Sequence, residues 1–110
     1  MAYCPRLYDI VWLQFDPQAG REQAGRRPAF VLTPERYNNV TRLCVVCPIT
    51  SQIKGYPFEV PLPATATTQG AVLTDHVKSL SWNERSSEFI ETCPGLAPSV
   101  LAHVKALLAI

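Results

Sequence analysis

The chain has 110 residues, 47% of them hydrophobic and 17% charged, with a formal net charge of +1. That length fits one compact domain and leaves no room for two, and the near-neutral total excludes the markedly basic composition usual in nucleic-acid-binding domains. The charge is uneven, however. Residues 1–56 hold seven Lys/Arg against four Asp/Glu, a balance of +3, and residues 57–110 hold three against five, a balance of −2. An electropositive patch can therefore arise from the first half. Residues 1–20 show no basic start followed by an apolar run, and no apolar stretch is long enough to span a bilayer. The expectation is a cytoplasmic protein.

Asp9–Phe15 (DIVWLQF) is rich in β-formers and reads as a strand. Asp16–Arg26 (DPQAGREQAGR), broken by Pro17, Gly20 and Gly25, reads as a long mobile loop that orders on ligand binding. Arg27–Thr33 is a second strand, with Pro28 near its beginning or on a sheet edge. Pro34–Thr41 reads as a turn with room for one helical turn, and Arg42–Ile49 as a third strand. A polar loop, Thr50–Pro57, follows, then strands at Phe58–Leu62 and Gly70–Thr74. Ser81-Trp82-Asn83-Glu84 has capping-box spacing and predicts the start of a short helix. Phe89–Thr92 reads as a last short strand. Pro98 suits the first turn of a terminal helix, on which Val100, Leu101, Val104, Leu107 and Leu108 form one apolar stripe. Short strands closed by a helix predict a mainly β domain with a small, strongly bent sheet or SH3-like barrel.

Cys44 and Cys47 form a C-x-x-C, but it lies inside the third strand, where alternation sends the two thiols to opposite faces and prevents them chelating one metal. The pair is expected to be buried structural thiols, while the exposure of Cys4 and Cys93, which stand alone, is left open. There is no phosphate-binding glycine loop, no H-E-x-x-H and no G-x-S-x-G. His76 and His103 are far apart in sequence, and His103 on the terminal helix has no companion motif.

Two polar loops stand out, Glu22–Pro28 and Pro48–Pro57. They offer three cations (Arg26, Arg27, Lys54), two hydroxyls (Thr50, Ser51), two amides (Gln23, Gln52) and the ring of Tyr56. Guanidinium forks grip phosphate oxygens in bidentate fashion, hydroxyls donate to them, and a Tyr ring stacks a base, so the set suits a phosphodiester backbone. The plainer reading of the same loops is solvated turns, with Arg26 and Arg27 on an exposed face.

The runs DIVWLQFDPQAG, EQAGRRPAFVLTPERYNN, CPITSQIKGYPFEV and GAVLTDHVKSLSW resemble the MazF/PemK family of toxin ribonucleases, in order, over most of residues 9–82. The resemblance implies an SH3-like small barrel of the MazF/PemK and CcdB kind. It implies a homodimeric, ribosome-independent and metal-independent endoribonuclease that needs no cofactor and cuts single-stranded RNA at short motifs. It also implies a MazE/PemI-like antitoxin whose acidic and apolar tail covers the RNA groove. The family pattern places its key arginine at Arg27, in G-x-R-P, and its key threonine at Thr50. Residues expected to touch RNA are Glu22, Gln23, Arg26, Ser51, Gln52, Lys54 and Tyr56, with Asp75 and His76 from the last block. The sequence departs from the best-known bacterial form at Arg26, where His is frequent, at Ile49 and Ser51 beside Thr50, where Cys and Thr occur, and at His76 in place of Gln. These departures keep the Arg27/Thr50 pair and bear on which RNA sequence is recognised.

The chemistry implied is attack of a ribose 2′-hydroxyl on its own 3′-phosphate, leaving a 2′,3′-cyclic phosphate and a 5′-hydroxyl. Arg27 would hold the charge of the pentacoordinate state and Thr50 would donate to a non-bridging oxygen. Arginine is effectively always protonated, so the base is another group, with Glu22 and His76 both open. Two other classes fit the same architecture: a non-enzymatic gyrase-binding toxin, and an SH3-like peptide-binding module, for which Tyr8, Trp12, Tyr37 and Trp82 are more easily core or rim than an aromatic groove.

Overall fold

A computed structural model of the chain describes residues 3–16, 20 and 24–110. Glu22 and Gln23, and the expected mobility of the first loop, lie outside the described residues. The elements are β1 (Asp9–Gln14), β2 (Arg26–Val31), α1 (Glu35–Thr41), β3 (Leu43–Thr50), β4 (Glu59–Pro61), β5 (Ala71–Leu73), β6 (Lys78–Ser81), β7 (Glu88–Thr92) and α2 (Ala97–Leu108), with single 3-10 turns at Thr74–His76 and Pro94–Leu96.

The strands form one antiparallel sheet in the order β4-β5-β3-β2-β1-β7, with β6 also paired to β3. β3 is the pivot. Its first half, Leu43–Val46, pairs with β6, and its end, Ile49–Thr50, pairs with β5. One strand serving two partners in succession is how a short sheet bends. The mainly β class with a closing helix is as expected; the outer strands β4 and β7 are not paired to each other among the described residues, so hydrogen bonding does not close a barrel.

Strand alternation divides the core in two. Ile10, Phe30, Cys47, Ile49 and Val72 meet Leu96, Ala97 and Val100 on one side, while Val11, Leu13, Phe15, Ala29, Val31, Cys44, Val46, Leu80 and Trp82 pack on the other. Cys44 and Cys47 therefore sit in different cores, as alternation predicts. Burial pushes each thiol up to about 12, and Asp75 adds to the effect at Cys47. Cys93 is also buried and Cys4 half-buried, all four as free thiols.

Three elements differ from expectation. Pro34–Thr41 carries a full seven-residue helix, closed by Arg42 in the left-handed conformation (φ 62°), whose N–H donates to Asn38 O at 2.9 Å. Arg42 also lies over the Trp82 ring, with 5.6 Å from guanidinium to centroid. Ser81 does not cap a helix: it ends β6, and its hydroxyl donates to Asn83 Oδ1 across a turn. On α2 the stripe is only partly used. Val100 is fully buried and Val104 packs on the core, but Leu107 and Leu108 are 38% and 55% exposed.

Candidate active-site groove

The site is set by the β2–β3 ladder. Ala29 pairs with Pro48, Phe30 with Cys47 and Val31 with Val46, so each pair of residue numbers sums to 77. Continued by two residues, that register places Arg27 opposite Thr50. Both line one groove of about 760 Å³ with Ser51, Gln52, Lys54, Tyr56, Glu59, Leu73, Asp75 and His76.

Arg27 is half-buried, and its Nε donates to Ala24 O at 2.7 Å. That bond fixes the plane of the guanidinium, and nothing else pairs with it among the described residues. Thr50 is buried, at 7% exposure, and its hydroxyl oxygen accepts the Gln52 N–H at 3.1 Å. With an acceptor site so occupied, its hydroxyl hydrogen remains available to donate. Gly70 secures Thr50 from behind. Its φ is +122°, and a Cβ there would stand 2.0 Å from Thr50 O, so only glycine lets β5 approach the end of β3 this closely.

The loop from Ser51 to Pro57 forms the groove's second wall. Backbone N–H groups of Lys54, Gly55 and Tyr56 all donate to the Glu59 carboxylate, at 3.0–3.2 Å. Tyr56 donates its hydroxyl to Asp75 Oδ2 at 2.8 Å, and this bond and the carboxylate's charge raise the phenol's pKa. Asp75 Oδ1 is buried without a hydrogen bond, and His76 Nε2 stands 4.0 Å from it. Both carboxylates in the groove are thus directed at protein groups. The Lys54 ammonium, like the outer face of Arg27, has no anionic partner among the described residues.

Arg26 takes a different place. Strand alternation turns it away from Arg27. It donates to Ser86 O and pairs with Glu88, both at 2.8 Å, and lies over Trp12 at 5.9 Å. It lines an adjoining, more apolar groove of about 420 Å³ with Trp12, Pro28, Ile49, Thr68 and Ile90, which meets the first at Arg27 and Ser51. The Thr67–Thr68 wall of this second groove is held by Glu91, which accepts both backbone N–H groups and the Thr68 hydroxyl. His103 lines neither groove; it bonds to Ser99 O within its own helix.

Of the expected site residues, the structure gathers Arg27, Thr50, Ser51, Gln52, Lys54, Tyr56, Asp75 and His76 in the main groove and puts Arg26 in its neighbour. Glu59 and Gly70 were missed, although both fall inside the resembling runs, in GYPFEV and GAVLTDH. The model of a family described as PemK-like, MazF-like toxins of type II toxin–antitoxin systems matches residues 6–110. The chain belongs to this family. The endoribonuclease toxin MazF of Escherichia coli K12 is 46% identical over 104 residues, 94% of this chain and 90% of that protein. A crystal structure of MazF from Deinococcus radiodurans is 48% identical and superposes with a TM-score of 0.94 over 99% of this chain and 100% of that one. A MazE–MazF complex from the same organism gives 0.88 at 48% identity, covering 99% of each chain. No helix among the described residues is long and apolar enough to cross a membrane.

Proposed function

We propose that this protein is the endoribonuclease toxin of a type II toxin–antitoxin pair and cuts single-stranded RNA at a short sequence without a metal ion. The observation that carries the reading is the meeting of Arg27 and Thr50 in one groove, with no anionic partner for Arg27 or Lys54 among the described residues. A fixed guanidinium and a free hydroxyl hydrogen are two donors lining the same groove, and no carboxylate among the described residues pairs with either.

In the reaction, the ribose 2′-oxygen forms a bond to phosphorus and the bond from phosphorus to the 5′-oxygen breaks. A 2′,3′-cyclic phosphate and a 5′-hydroxyl result. Arg27 stabilises the extra negative charge of the pentacoordinate state and hydrogen-bonds the departing 5′-oxygen, which takes its proton from water, while Thr50 donates to a non-bridging oxygen. Preorganised donors of this kind contribute ~3 kcal/mol each, about 100-fold in rate. The 2′-proton goes to His76, which lines the groove, or to Glu22, which lies outside the described residues. Lys54 offers its charge to a flanking phosphate and Tyr56, 47% exposed, its ring to a base.

An antitoxin of the MazE/PemI kind belongs to the same proposal. The MazE–MazF complexes of Deinococcus radiodurans support it, and an acidic, apolar tail suits a cationic groove that opens onto Trp12, Pro28 and Ile90. A homodimer is also part of the proposal, supported by the exposed Leu107, Leu108 and Ile110 at the chain's end. The test is incubation of purified protein with a long defined RNA in chelator, with both ends of each cut mapped. The expected result is discrete cuts carrying cyclic phosphate and 5′-hydroxyl ends, reduced about 100-fold or more by Arg27→Ala. Cutting that stops in chelator, or that survives Arg27→Ala unchanged, contradicts the proposal.

A further inference from the structure

We infer that Glu59 is a positioning residue for the RNA groove, holding the backbone of residues 54–56 in place before substrate arrives. The inference rests on the nuclease reading given above, because the loop it fixes is a wall of that groove.

The residue sits where its charge is otherwise unwelcome. A carboxylate lining a groove for a phosphodiester opposes the substrate unless its negative charge is neutralised locally. Three backbone N–H groups do this. Glu59 Oε1 accepts from Lys54 at 3.1 Å, Gly55 at 3.0 Å and Tyr56 at 3.2 Å, and Oε2 accepts from Lys54 at 3.2 Å. The Glu59 backbone N–H in turn donates to Tyr56 O at 3.0 Å, so side chain and main chain grip the same turn from both sides.

Little else holds the turn. Residues 51–57 contain no strand or helix, Ile53 is 56% exposed, and the Tyr56 ring at the segment's end meets Phe58 with 6.0 Å between centroids. Gly55 adopts φ +76°, the left-handed conformation that lets consecutive N–H groups converge on one anion. Beyond Glu59, the loop has the Thr50–Gln52 bond at its start and the Tyr56–Asp75 bond at its end. Hydrogen bonds to a charged acceptor are the stronger kind, so the Glu59 carboxylate is the principal tie at the loop's centre. A loop ordered in advance costs less to order when RNA binds. Glu59 therefore acts on substrate capture through Lys54 and Tyr56, without touching the reacting atoms.

The experiment uses full-length Glu59→Ala and Glu59→Gln proteins. Amide hydrogen exchange is measured at Lys54, Gly55 and Tyr56, alongside steady-state cleavage of the mapped RNA. In Glu59→Ala, exchange at these three amides should quicken roughly tenfold or more and KM should rise by a similar factor, with kcat changed less than about threefold. Glu59→Gln keeps an acceptor of the same reach without the charge and should fall between the two; it also decides the matter should the alanine variant not fold. Unchanged exchange and KM in Glu59→Gln or Glu59→Ala, or a fall in kcat at constant KM, overturns the inference. A wild-type protein that leaves RNA intact overturns the nuclease reading instead, while the exchange rates still decide whether Glu59 holds the loop.

Discussion

Replacing Gly70 by alanine tests how tightly the threonine of the site is held. The added Cβ would stand 2.0 Å from Thr50 O and 2.9 Å from Thr50 C, both backbone atoms that cannot swing aside. The residue would also keep a φ of +122°, a conformation that L side chains rarely adopt. Backbone strain of this kind costs ~1–3 kcal/mol, and overpacking ~1–3 kcal/mol. The sum, ~2–6 kcal/mol, is a large part of the ~5–15 kcal/mol stability of a typical domain. Relief requires β5 and the end of β3 to part, which moves Thr50 relative to Arg27. Urea denaturation of Gly70→Ala should therefore show a loss of at least ~2 kcal/mol, by the same strain and overpacking estimates. Cleavage measured well below the new midpoint should fall as well. A loss under ~1 kcal/mol with unchanged kcat/KM would refute the close approach and its role in placing Thr50.

Two further outcomes follow from the core and the second groove. Cys44 and Cys47 are fully buried, with burial pushing each thiol up to about 12, so a thiol reagent at pH 8 should label neither until denaturant is added; fast labelling of the native protein would contradict the two-core packing. Burial works against the charge of Glu91, but hydrogen bonds from the Thr68 hydroxyl and the Thr68 and Thr67 N–H groups prevail and hold its pKa below the ordinary 4.5. A depressed carboxylate pKa contributes stability that is present above the unfolded value and is lost as pH falls through the folded one. Urea midpoints of wild type should thus decline below about pH 4.5 more steeply than those of Glu91→Gln; parallel curves would remove Glu91 from the account.

The strands β1 to β3 were legible because β-formers cluster there between Pro and Gly breakers, and alternation in β3 alone separated Cys44 from Cys47. α1 was not legible as a full helix because it holds Asn38, Asn39, Val40 and Thr41, all weak helix formers, and stops at Arg42 without a glycine. Its support is tertiary: Asn38 is fully buried, donating to Pro5 O and Thr33 O and accepting from Trp82 Nε1 through its own carbonyl. β6 escaped because its only buried residue is Leu80 and its last residue, Ser81, mimics a helix cap.

The two loops of the site were visible as an assortment of donors, and the resemblance singled out Arg27 and Thr50 within them. What chain order could not show was register. Whether residue 27 faces residue 50 depends on how α1 and its flanking turns set the β2–β3 pairing. The same gap explains Arg26, read as the end of a loop when it in fact opens the strand that was read from Arg27 and points away from that residue. Glu59 and Gly70 act through backbone atoms of other residues, which no side-chain motif records.

The most direct test of the central claim is an RNA identical to a mapped substrate except for a single 2′-deoxy nucleotide at the scissile position, offered in chelator. The account predicts that cutting at that bond disappears while other sites in the same strand are still cut. A cut at the deoxy position at the normal rate would contradict attack by the neighbouring 2′-hydroxyl, and with it the chemistry assigned to Arg27 and Thr50.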